Sequence, residues 1–380
     1  MTPTNHARAP RICLPTFAAF ARKAYQGGSR EAEDVLVATD DVDLIPLEPA
    51  GGFERKESWQ RRLLYHDVSR KLAYLNPGLR PVRLNKDYDL LVLVCPLHWD
   101  ARYINAVREW KKHCRASVVW IDELWASAVP SYKYWLPFLN EFDHVVLGLK
   151  GSVKAVSDAL GRPCHYVRGG VDALRFSPYP NPPRRVIDVY SIGRRCDGIH
   201  QRLLNLAGTK KLFYVYDTLQ NTGNLEMQDH RQHRDLYANV AKRSRFFMVA
   251  VAKVDLQAHT HGQIEVPYRY FEGAAAGSIL LGQSPDCDSF REMFDWPDAV
   301  IEVQPDGSDV VEVLSKLAAQ PETLDRISRR NASEVLRRHD WVYRWKQILA
   351  IAGLEPTPAM KAREAQLQEQ AAIAIADGAN

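Results

Sequence analysis

Alternation of strand-like and helix-like segments is the feature of this sequence that most restricts its fold. Short apolar runs such as Asp89–Val94, Ala116–Ile121 and Phe246–Val251 have the length of strands that are buried on both faces. Amphipathic stretches lie between them, and Thr323–His339 is the clearest of these. Strands that are separated by helices pair in parallel, so the pattern predicts an α/β fold with doubly wound parallel sheets.

The first part of the chain carries weaker patterns of the same kind. Val35–Ala38 and Asp43–Leu47 predict short strands. Segments Ala101–His113 and Ser131–Glu141 predict helices. A further helix is predicted from apolar residues at helical spacing, namely Trp59, Leu63, Leu64, Val68, Leu72 and Leu75.

A proline-rich segment divides the pattern into two halves. Residues 176–185 read FSPYPNPPRR, and proline interrupts both helices and strand ladders, so this segment predicts a linker. We expect a Rossmann-like domain over residues 1–175 and a second over 186–340. A helix over 341–357 is expected to pack back on the N-terminal domain, followed by a polar tail over 358–380.

The composition excludes several classes of protein. The 380 residues carry 50 Lys and Arg against 46 Asp and Glu, and a net charge of +4 does not indicate a nucleic-acid binder. A hydrophobic fraction of 46% is enough for two cores, and no run of about 18 apolar residues predicts a membrane span. Six scattered cysteines predict free thiols in a reducing compartment. We expect an unprocessed cytoplasmic protein, although the acid-free start before Glu31 is also typical of a transit peptide.

The first candidate site is the turn after the strand-like run Val186–Ile192. Gly193 lets a ligand approach the backbone, and the guanidinium groups of Arg194 and Arg195 can each pair with two phosphate oxygens. A surface turn with two solvated arginines explains the same residues equally well.

The second candidate site is the start of a helix at Tyr268. Pro267 can precede a helix but cannot lie inside it, so the first turn presents unpaired amides together with Arg269, which suits an anion. Glu272, one turn further on, can accept hydrogen bonds from vicinal hydroxyls. The alternative is a helix that packs through the small residues Gly273–Gly277 and leaves Glu272 in solvent.

Four motifs in one order give a resemblance to a known family. The chain resembles the GT-B glycosyltransferases of the group 1 type, nearest the spore-maturation-protein-like branch related to glycosyltransferase family 4. The resemblance covers roughly residues 140–352 and is poor over 1–85. It rests on the Gly193–Arg195 turn, on Arg269, Phe271, Glu272, Ala275 and Gly277, on His339 and Arg344, and on Gly169–Asp172 followed by Phe176–Pro178.

The resemblance implies a GT-B fold, in which two Rossmann-like domains face a cleft, and transfer of a hexose from a nucleotide-diphosphate donor to an acceptor hydroxyl. The acceptor is a glycan, a lipid-linked molecule or a small molecule bound by the N-terminal domain. Glu272 would hold the ribose, and Arg195 and Arg269 would neutralise the leaving diphosphate without a metal ion or a cofactor. The implied donor-binding residues are Gly193, Arg194, Arg195, Arg269, Tyr270, Glu272 and Gly277.

One departure from the family leaves the stereochemistry open. Related enzymes carry two glutamates eight positions apart, but here Glu265 stands seven positions before Glu272. Glu265 is the expected catalytic residue of a retaining enzyme. An inverting enzyme would need a base in the N-terminal domain, for which Asp122 and His98, each just past a predicted strand, are candidates. A solvated loop residue is the favoured alternative for each of them.

Other signals are weaker. Metal ligation is not expected, because the pairs Asp41 and Asp43, Asp286 and Asp288, and His259 and His261 lack further ligands at useful spacing. Asn331-Ala-Ser333 matches a glycosylation acceptor but falls on a predicted helix. The basic segment 55–76 could rest on an anionic membrane, although its apolar residues are expected to face the core.

Two other functions remain compatible with the sequence. A nucleotide-sugar epimerase has the same architecture. A catalytically degenerate GT-B module would bind a glycan or a protein partner without transfer.

Overall fold

The computed structural model describes residues 11–218 and 225–376. Its strands are β1 Ile12–Thr16, β2 Val42–Pro46, β3 Val82–Arg83, β4 Tyr88–Leu97, β5 Val107–Arg108, β6 Cys114–Glu123, β7 His144–Leu147, β8 His165–Tyr166, β9 Ile187–Ser191, β10 Tyr214–Tyr216, β11 Ser244–Val249, β12 Ile279–Gly282 and β13 Ile301–Glu302.

Fourteen α-helices accompany these strands in the described residues. They are α1 Gly27–Thr39, α2 Phe53–Tyr65, α3 Trp110–His113, α4 Val129–Tyr132, α5 Val153–Leu160, α6 Ala173–Phe176, α7 Asp197–Gly208, α8 His230–Lys242, α9 Tyr268–Ala275, α10 Asp288–Met293, α11 Val310–Ala318, α12 Pro321–Arg338, α13 Trp341–Ile351 and α14 Pro358–Ala376.

Two separate parallel sheets carry the fold. The first has the strand order β2-β1-β4-β6-β7-β8, and the second has the order β10-β9-β11-β12-β13. Every pairing in both sheets is parallel. In each sheet the chain winds outward from its first strand in both directions, as in doubly wound folds. The prediction of two doubly wound, Rossmann-like sheets is confirmed.

The chain divides into two compact units. The described residues of the first unit are 11–21, 33–168 and 345–360, and those of the second are 22–32, 169–218, 225–344 and 361–376. The first unit contains the six-stranded sheet and a core that includes Leu91, Leu93 and Ile121. The second contains the five-stranded sheet and a core that includes Val189, Leu281 and Val310. The limits predicted from the sequence, 1–175 and 186–340, stay a prediction.

Several elements of the second half match the prediction closely. The predicted segments Tyr268–Ala276, Val310–Ala319 and Thr323–His339 are helices α9, α11 and α12 within one to two residues at each end. Long amphipathic helices and fully apolar strands give strong periodic signals, which explains the agreement.

The beginning of the chain differs from the prediction. Val35–Ala38 lies inside helix α1, so the prediction of a strand there is wrong. A four-residue apolar run occurs in both strands and helices and does not distinguish between them. Strand β1 was not predicted, since Pro15 interrupts its pattern. On the side of β4, only Ile12 and Cys13 of β1 are paired, so Pro15, which has no N–H to donate, lies beyond the residues that bond to β4.

The segment from Trp59 to Leu75 also differs from the prediction of one core-facing helix. Helix α2 ends at Tyr65, and residues Arg70–Tyr74 form a separate 3₁₀ helix. Leu64 is buried, but Trp59, Val68 and Leu75 are more than half exposed. The expectation that these three side chains face the core is therefore wrong.

Three further expectations meet the structure outside the two sheets. Asn331 is fully buried in α12, where it accepts from Trp296 and donates to the carbonyl of Ser278, so it is not a glycosylation acceptor. All six cysteines are free, and two of them, Cys13 and Cys95, are fully buried. No helix among the described residues is long and apolar enough to cross a membrane.

Candidate functional site

The second sheet has a natural ligand position where its winding reverses. The connection after β9 leads to β10 on one side and the connection after β11 leads to β12 on the other, so the two connections diverge at the adjacent carboxyl ends of β9 and β11. Ligands of doubly wound sheets bind at this reversal point. A small open pocket, with an internal volume of about 10 Å³, lies there and is lined by Ser191, Arg194, Arg195, Cys196, Ile199, His200, Leu203, Tyr214, Met248, Val249 and Ala250.

Gly193 forms the tight turn at the mouth of this pocket. Its φ of +73° belongs to the left-handed region that glycine adopts at little cost. Its amide donates to Oδ2 of Asp217 at 3.0 Å. A Cβ at this position would lie 1.9 Å from Nη2 of Arg269, so the guanidinium of Arg269 packs directly on the glycine. The structure thus brings together the two candidate sites that the sequence placed 76 residues apart.

The three arginines at this turn differ in their partners. Arg194 pairs with Asp255 on the surface. Arg195 donates through Nη2 to both the backbone oxygen and Oδ1 of Asp217 at 2.6 Å, while its buried Nη1 has no hydrogen-bond partner in the described part of the chain. Arg269 forms no ion pair with any residue in 11–218 or 225–376. An uncompensated positive charge therefore remains at the turn, which favours an anionic ligand.

Helix α9 adds to this positive character. Pro267 precedes its first residue, as the sequence predicts, and Arg269 lies in its first turn. The first amides of a helix have no intrahelical acceptor, and the helix dipole places partial positive charge at this end. The turn at Gly193, the start of α9 and Arg269 together have the chemistry of a phosphate site.

Glu272 lies in a buried ionic cluster and not in the open pocket. Its side chain accepts from Arg234 and, at 2.7 Å, from the hydroxyl of Tyr237, and only 4% of the residue is exposed. Arg234 also pairs with Glu31, through Nε at 2.9 Å and Nη2 at 3.0 Å. This cluster ties the starts of α1, α8 and α9 together inside the second unit.

The charges of the cluster are balanced by several donors. Glu31 also accepts from the indole of Trp341 at 3.1 Å and from the amide of Asp172 at 2.9 Å. Burial opposes ionisation of Glu31, but the charge and hydrogen bonds of Arg234 outweigh it, so the pKa of Glu31 lies below its ordinary value. Burial, and then the charge of Glu272, raise the pKa of Tyr237 well above its ordinary value. Tyr237 is therefore a neutral donor.

Tyr270 and Gly277, which the resemblance placed at the donor, have structural positions. Tyr270 is fully buried, its ring packs on Phe290 and Phe294, and its hydroxyl donates to the carbonyl of Gln283. Gly277, with φ +63°, follows the opposite end of α9 from Arg269. Their assignment to the donor site stays a prediction.

Glu265 precedes α9 in the second unit. It is 3% exposed and accepts from the amide side chain of Gln263 at 2.7 Å. Its catalytic role stays a prediction.

The two candidate bases of the first unit lie at the carboxyl ends of the adjacent strands β4 and β6. Asp122 is half-buried and is the penultimate residue of β6, which extends two residues beyond the predicted strand, while His98 directly follows β4. His98 is buried among the rings of Tyr132 and Trp135, with centroid distances of 4.4 and 5.7 Å. Burial lowers the pKa of His98 to about 3. Such a weakly basic imidazole is poorly matched to proton abstraction near neutral pH, so the surroundings of His98 disfavour a base role.

The matched residues of the tail and of the central crossing have bonding roles. His339 Nε2 lies 2.8 Å from the carbonyl oxygen of Met293, and Arg344 donates to its Nδ1 at 2.8 Å. Arg344 also donates to the carbonyl of Gly169 at 2.9 Å. Gly169 itself packs on the ring of Tyr268, where a Cβ would lie 2.5 Å from a ring carbon.

Sequence reasoning missed two acidic partners of the turn and one arginine of the cluster. Asp217 directly follows β10, so the rule that selected the ends of β4 and β6 applies to it as well. Asp255 and Arg234 had no such signal, because their partners are distant in sequence, 61 residues away for Asp255 and 203 for Arg234 and Glu31. No group of three or more metal-ligating side chains occurs among the described residues.

Comparison with known families agrees with this region of the chain. Residues 194–350 match the family model described as Glycosyl transferase-like, which is less than half of the chain. The matched segment begins at the turn and includes helices α9 and α12 and all but the last residue of α13. A comparison with curated proteins gave no match.

Among solved structures, the chain is similar to TarM at 8% identity and a TM-score of 0.42, covering 69% of this chain and 54% of TarM, which is about half of its length. It is similar to the catalytic domain of starch synthase IV from Arabidopsis thaliana bound to ADP and acarbose, at 9% identity, a TM-score of 0.47 and coverages of 92% and 99%. It is also similar to a putative UDP-N-acetylglucosamine 2-epimerase from Listeria monocytogenes, at 9% identity and a TM-score of 0.45, covering 92% of this chain and 100% of the epimerase chain. At these identities and TM-scores the structural similarities assign no role to any residue, and the family evidence is the match of residues 194–350 to the glycosyl transferase-like model.

Proposed function

We propose that this protein is a GT-B glycosyltransferase that moves a sugar from a nucleotide-diphosphate donor to an acceptor hydroxyl. The observation that carries the proposal is the packing of Arg269 on Gly193 at the reversal point of the second sheet. The position is one where doubly wound sheets bind nucleotides, and the unpaired charge suits a diphosphate. The match of residues 194–350 to a glycosyl transferase-like family supports the same function.

The donor diphosphate would lie between the turn and the start of α9. Arg269 and Nη1 of Arg195 would each donate to its oxygens, and the first amides of α9 would add further bonds. Negative charge on the diphosphate increases as its bond to the sugar breaks. Arginines that are already in place stabilise this charge without reorganisation, and they supply the positive charge that the leaving group needs.

The nucleoside would lie along the mouth of the small pocket beside the turn. The ring of Tyr214 forms part of the pocket wall. The ring of Tyr216 packs against it with a centroid distance of 4.7 Å and lies under the guanidinium of Arg195. Aromatic side chains offer faces on which a base or ribose can pack.

The finer features of the reaction are part of the proposal. A retaining transfer of a hexosyl group would use Glu265 near the donor sugar, and Asp122 is the candidate base of an inverting one. For Glu272, we propose a structural role in place of ribose binding, because both of its oxygens are engaged by Arg234 and Tyr237. The acceptor hydroxyl would be bound by the first unit.

A second candidate function is a module that binds a nucleotide sugar without transferring it. The burial of Glu272 in the ionic cluster favours this candidate, since the residue that resembles the family's ribose ligand faces away from the pocket. The two candidates share the binding site and differ in turnover.

The test measures thermal stability of the full chain with UDP, GDP, dTDP, ADP and CMP. A ligand at 100 times its dissociation constant adds about 2.7 kcal/mol of stability, which raises the melting temperature by several degrees. We expect one nucleoside diphosphate to stabilise the protein. A nucleotide sugar that contains this diphosphate should then release it when the protein is mixed with candidate acceptors. Stabilisation without release favours the binding module. No stabilisation by any nucleotide contradicts both.

The matched control for this test is Arg326→Ala. Arg326 is an exposed arginine of the second unit that pairs with Asp298, away from the turn. Arg269→Ala removes the same side chain at the proposed site. Stabilisation by the diphosphate should be lost only in Arg269→Ala; equal loss in both variants would show that general charge, and not this site, binds the nucleotide.

A further inference from the structure

Exposed apolar side chains are concentrated in one short stretch of the first unit. Fifteen large apolar side chains are exposed among the described residues, and five of them lie between residues 59 and 75. They are Trp59, Tyr65, Val68, Tyr74 and Leu75, with exposed fractions of 59, 52, 62, 47 and 54%. Isolated exposed apolar residues are common, but such a concentration marks an interaction surface.

Helix α2 explains why Trp59 is outside the core. Residues 53, 57, 60 and 64 fall on one face of a helix with 3.6 residues per turn, and this face includes the buried Gln60 and Leu64. Arg55, Trp59 and Arg62 fall on the opposite face and are exposed. The outward face of α2 therefore combines a large aromatic side chain with arginines on both sides.

Residues 55–75, which include this stretch, carry a high density of positive charge. Its six exposed cations are Arg55, Lys56, Arg61, Arg62, Arg70 and Lys71. None of the six forms an ion pair with another described residue. Residues 55–75 contain only two acids, Glu57 and Asp67, and Glu57 is already paired with the buried Arg102. The local charge is thus strongly positive, although the whole chain is nearly neutral at +4.

These residues lie on ordered structure. The side-chain amide of Gln60 donates to the carbonyl oxygens of Leu72 and, at 2.9 Å, Leu75. The side chain of Asn105 donates to the carbonyl of Ala73 at 2.8 Å. Residues 70–75 are therefore held against α2.

We propose that this surface, which consists of the exposed residues of 55–75 and is called here the basic aromatic face, docks on an anionic lipid bilayer. Trp and Tyr side chains are stable at the depth of the lipid headgroups, and aliphatic side chains such as Val68 and Leu75 enter the acyl boundary. The surrounding Lys and Arg pair with lipid phosphates.

Lipid accounts for this composition better than the other anionic partners do. Nucleic acid would use the cations and aromatic rings, but it offers no apolar layer for Val68 and Leu75. A second copy of the chain would bring six cations against six cations, which repel each other. The proposal concerns the first unit and does not depend on the proposed donor site in the second.

Vesicle flotation with the full-length chain tests the proposal. Vesicles of phosphatidylcholine alone are compared with vesicles that also contain phosphatidylglycerol, at low and high salt. We expect binding to the anionic vesicles only, and weaker binding at high salt because salt screens the cations. Equal binding to both vesicles, or no binding to either, would overturn the proposal.

Two matched pairs of variants locate the surface. Arg55→Ala with Arg62→Ala should weaken binding about 25-fold, since each cation near an anionic bilayer contributes about five-fold. The control pair Lys211→Ala with Lys316→Ala removes two exposed, unpaired cations of the second unit and should leave binding within about two-fold. Equal effects of the two pairs would mean that net charge alone is responsible and would contradict docking through this face.

The aromatic contribution has its own control. Trp59→Ser should weaken binding about ten-fold, because burial of an aromatic side chain is lost. Leu236→Ser changes a side chain of the second unit that is 67% exposed and should have no effect. Circular dichroism of each variant confirms that it is folded, and Trp59→Phe should restore most of the binding. Stronger binding to single-stranded RNA than to anionic vesicles, or self-association through this face, would also overturn the proposal.

Discussion

Replacement of Gly193 by alanine separates the proposed phosphate site from the backbone turn that carries it. Alanine at φ +73° costs roughly 1–2 kcal/mol of stability. The new Cβ would also lie 1.9 Å from Nη2 of Arg269. Because this atom is the end of a long side chain, we expect Arg269 to move aside and the fold to persist. A displaced guanidinium loses a charge-assisted bond to phosphate worth about 1.5–3 kcal/mol, so diphosphate affinity should fall about 10- to 100-fold.

Gly262→Ala is the matched control for this prediction. Gly262 has φ +83°, and no heavy atom lies within 4 Å of the position of its Cβ. Urea denaturation should give similar losses of unfolding free energy for both variants, since both pay the same backbone cost. Calorimetric titration with the nucleoside diphosphate should show a loss of affinity for Gly193→Ala alone. Equal affinities in the two variants would refute the role of the Gly193–Arg269 contact.

Three further predictions concern stability. Arg234→Met leaves Glu31 and Glu272 buried without their shared cation and should lower the free energy of unfolding by about 3–5 kcal/mol in urea; a loss below about 1 kcal/mol would contradict the cluster's role. Burial holds the pKa of His98 at about 3, so its contribution to the free energy of unfolding should be full above pH 6.5, the ordinary pKa of histidine, and that free energy should fall by up to about 1.4 kcal/mol per pH unit below pH 6.5. His98→Phe should lack this dependence on pH, and an unchanged slope in this variant would contradict the contribution of His98. Arg185→Met removes hydrogen bonds to the carbonyls after α9 and should cost about 2 kcal/mol by thermal melting, more than Arg185→Lys does.

The sequence predicts the parallel sheets and the turn at Gly193 because both depend on local patterns. Val145–Leu147 of β7 and Ile279–Leu281 of β12 are continuous apolar runs, and α9 begins where Pro267 requires it. Gly193 and Arg269 were each selected for their own chemistry, and the doubly wound topology explains why they meet.

Contacts between distant residues account for what the sequence does not predict. Glu272 has the sequence context of a solvent-exposed ligand, but Arg234 and Tyr237 from helix α8 engage both of its oxygens in the folded protein. His98 follows a strand as a catalytic base would, but aromatic residues from a later segment bury it. Trp59 has the spacing of a core residue, but it falls on the outer face of α2, because the helix packs through Gln60 and Leu64.

The most direct test of the proposed donor site compares a nucleoside diphosphate with its monophosphate. Both would be titrated into the wild type and Arg269→Ala by calorimetry. If Arg269 binds the leaving phosphate, the substitution should weaken diphosphate binding by at least about ten-fold, while monophosphate binding stays within about two-fold. Equal losses for the two nucleotides, or no loss for either, would contradict the assignment of the diphosphate to Gly193, Arg195 and Arg269.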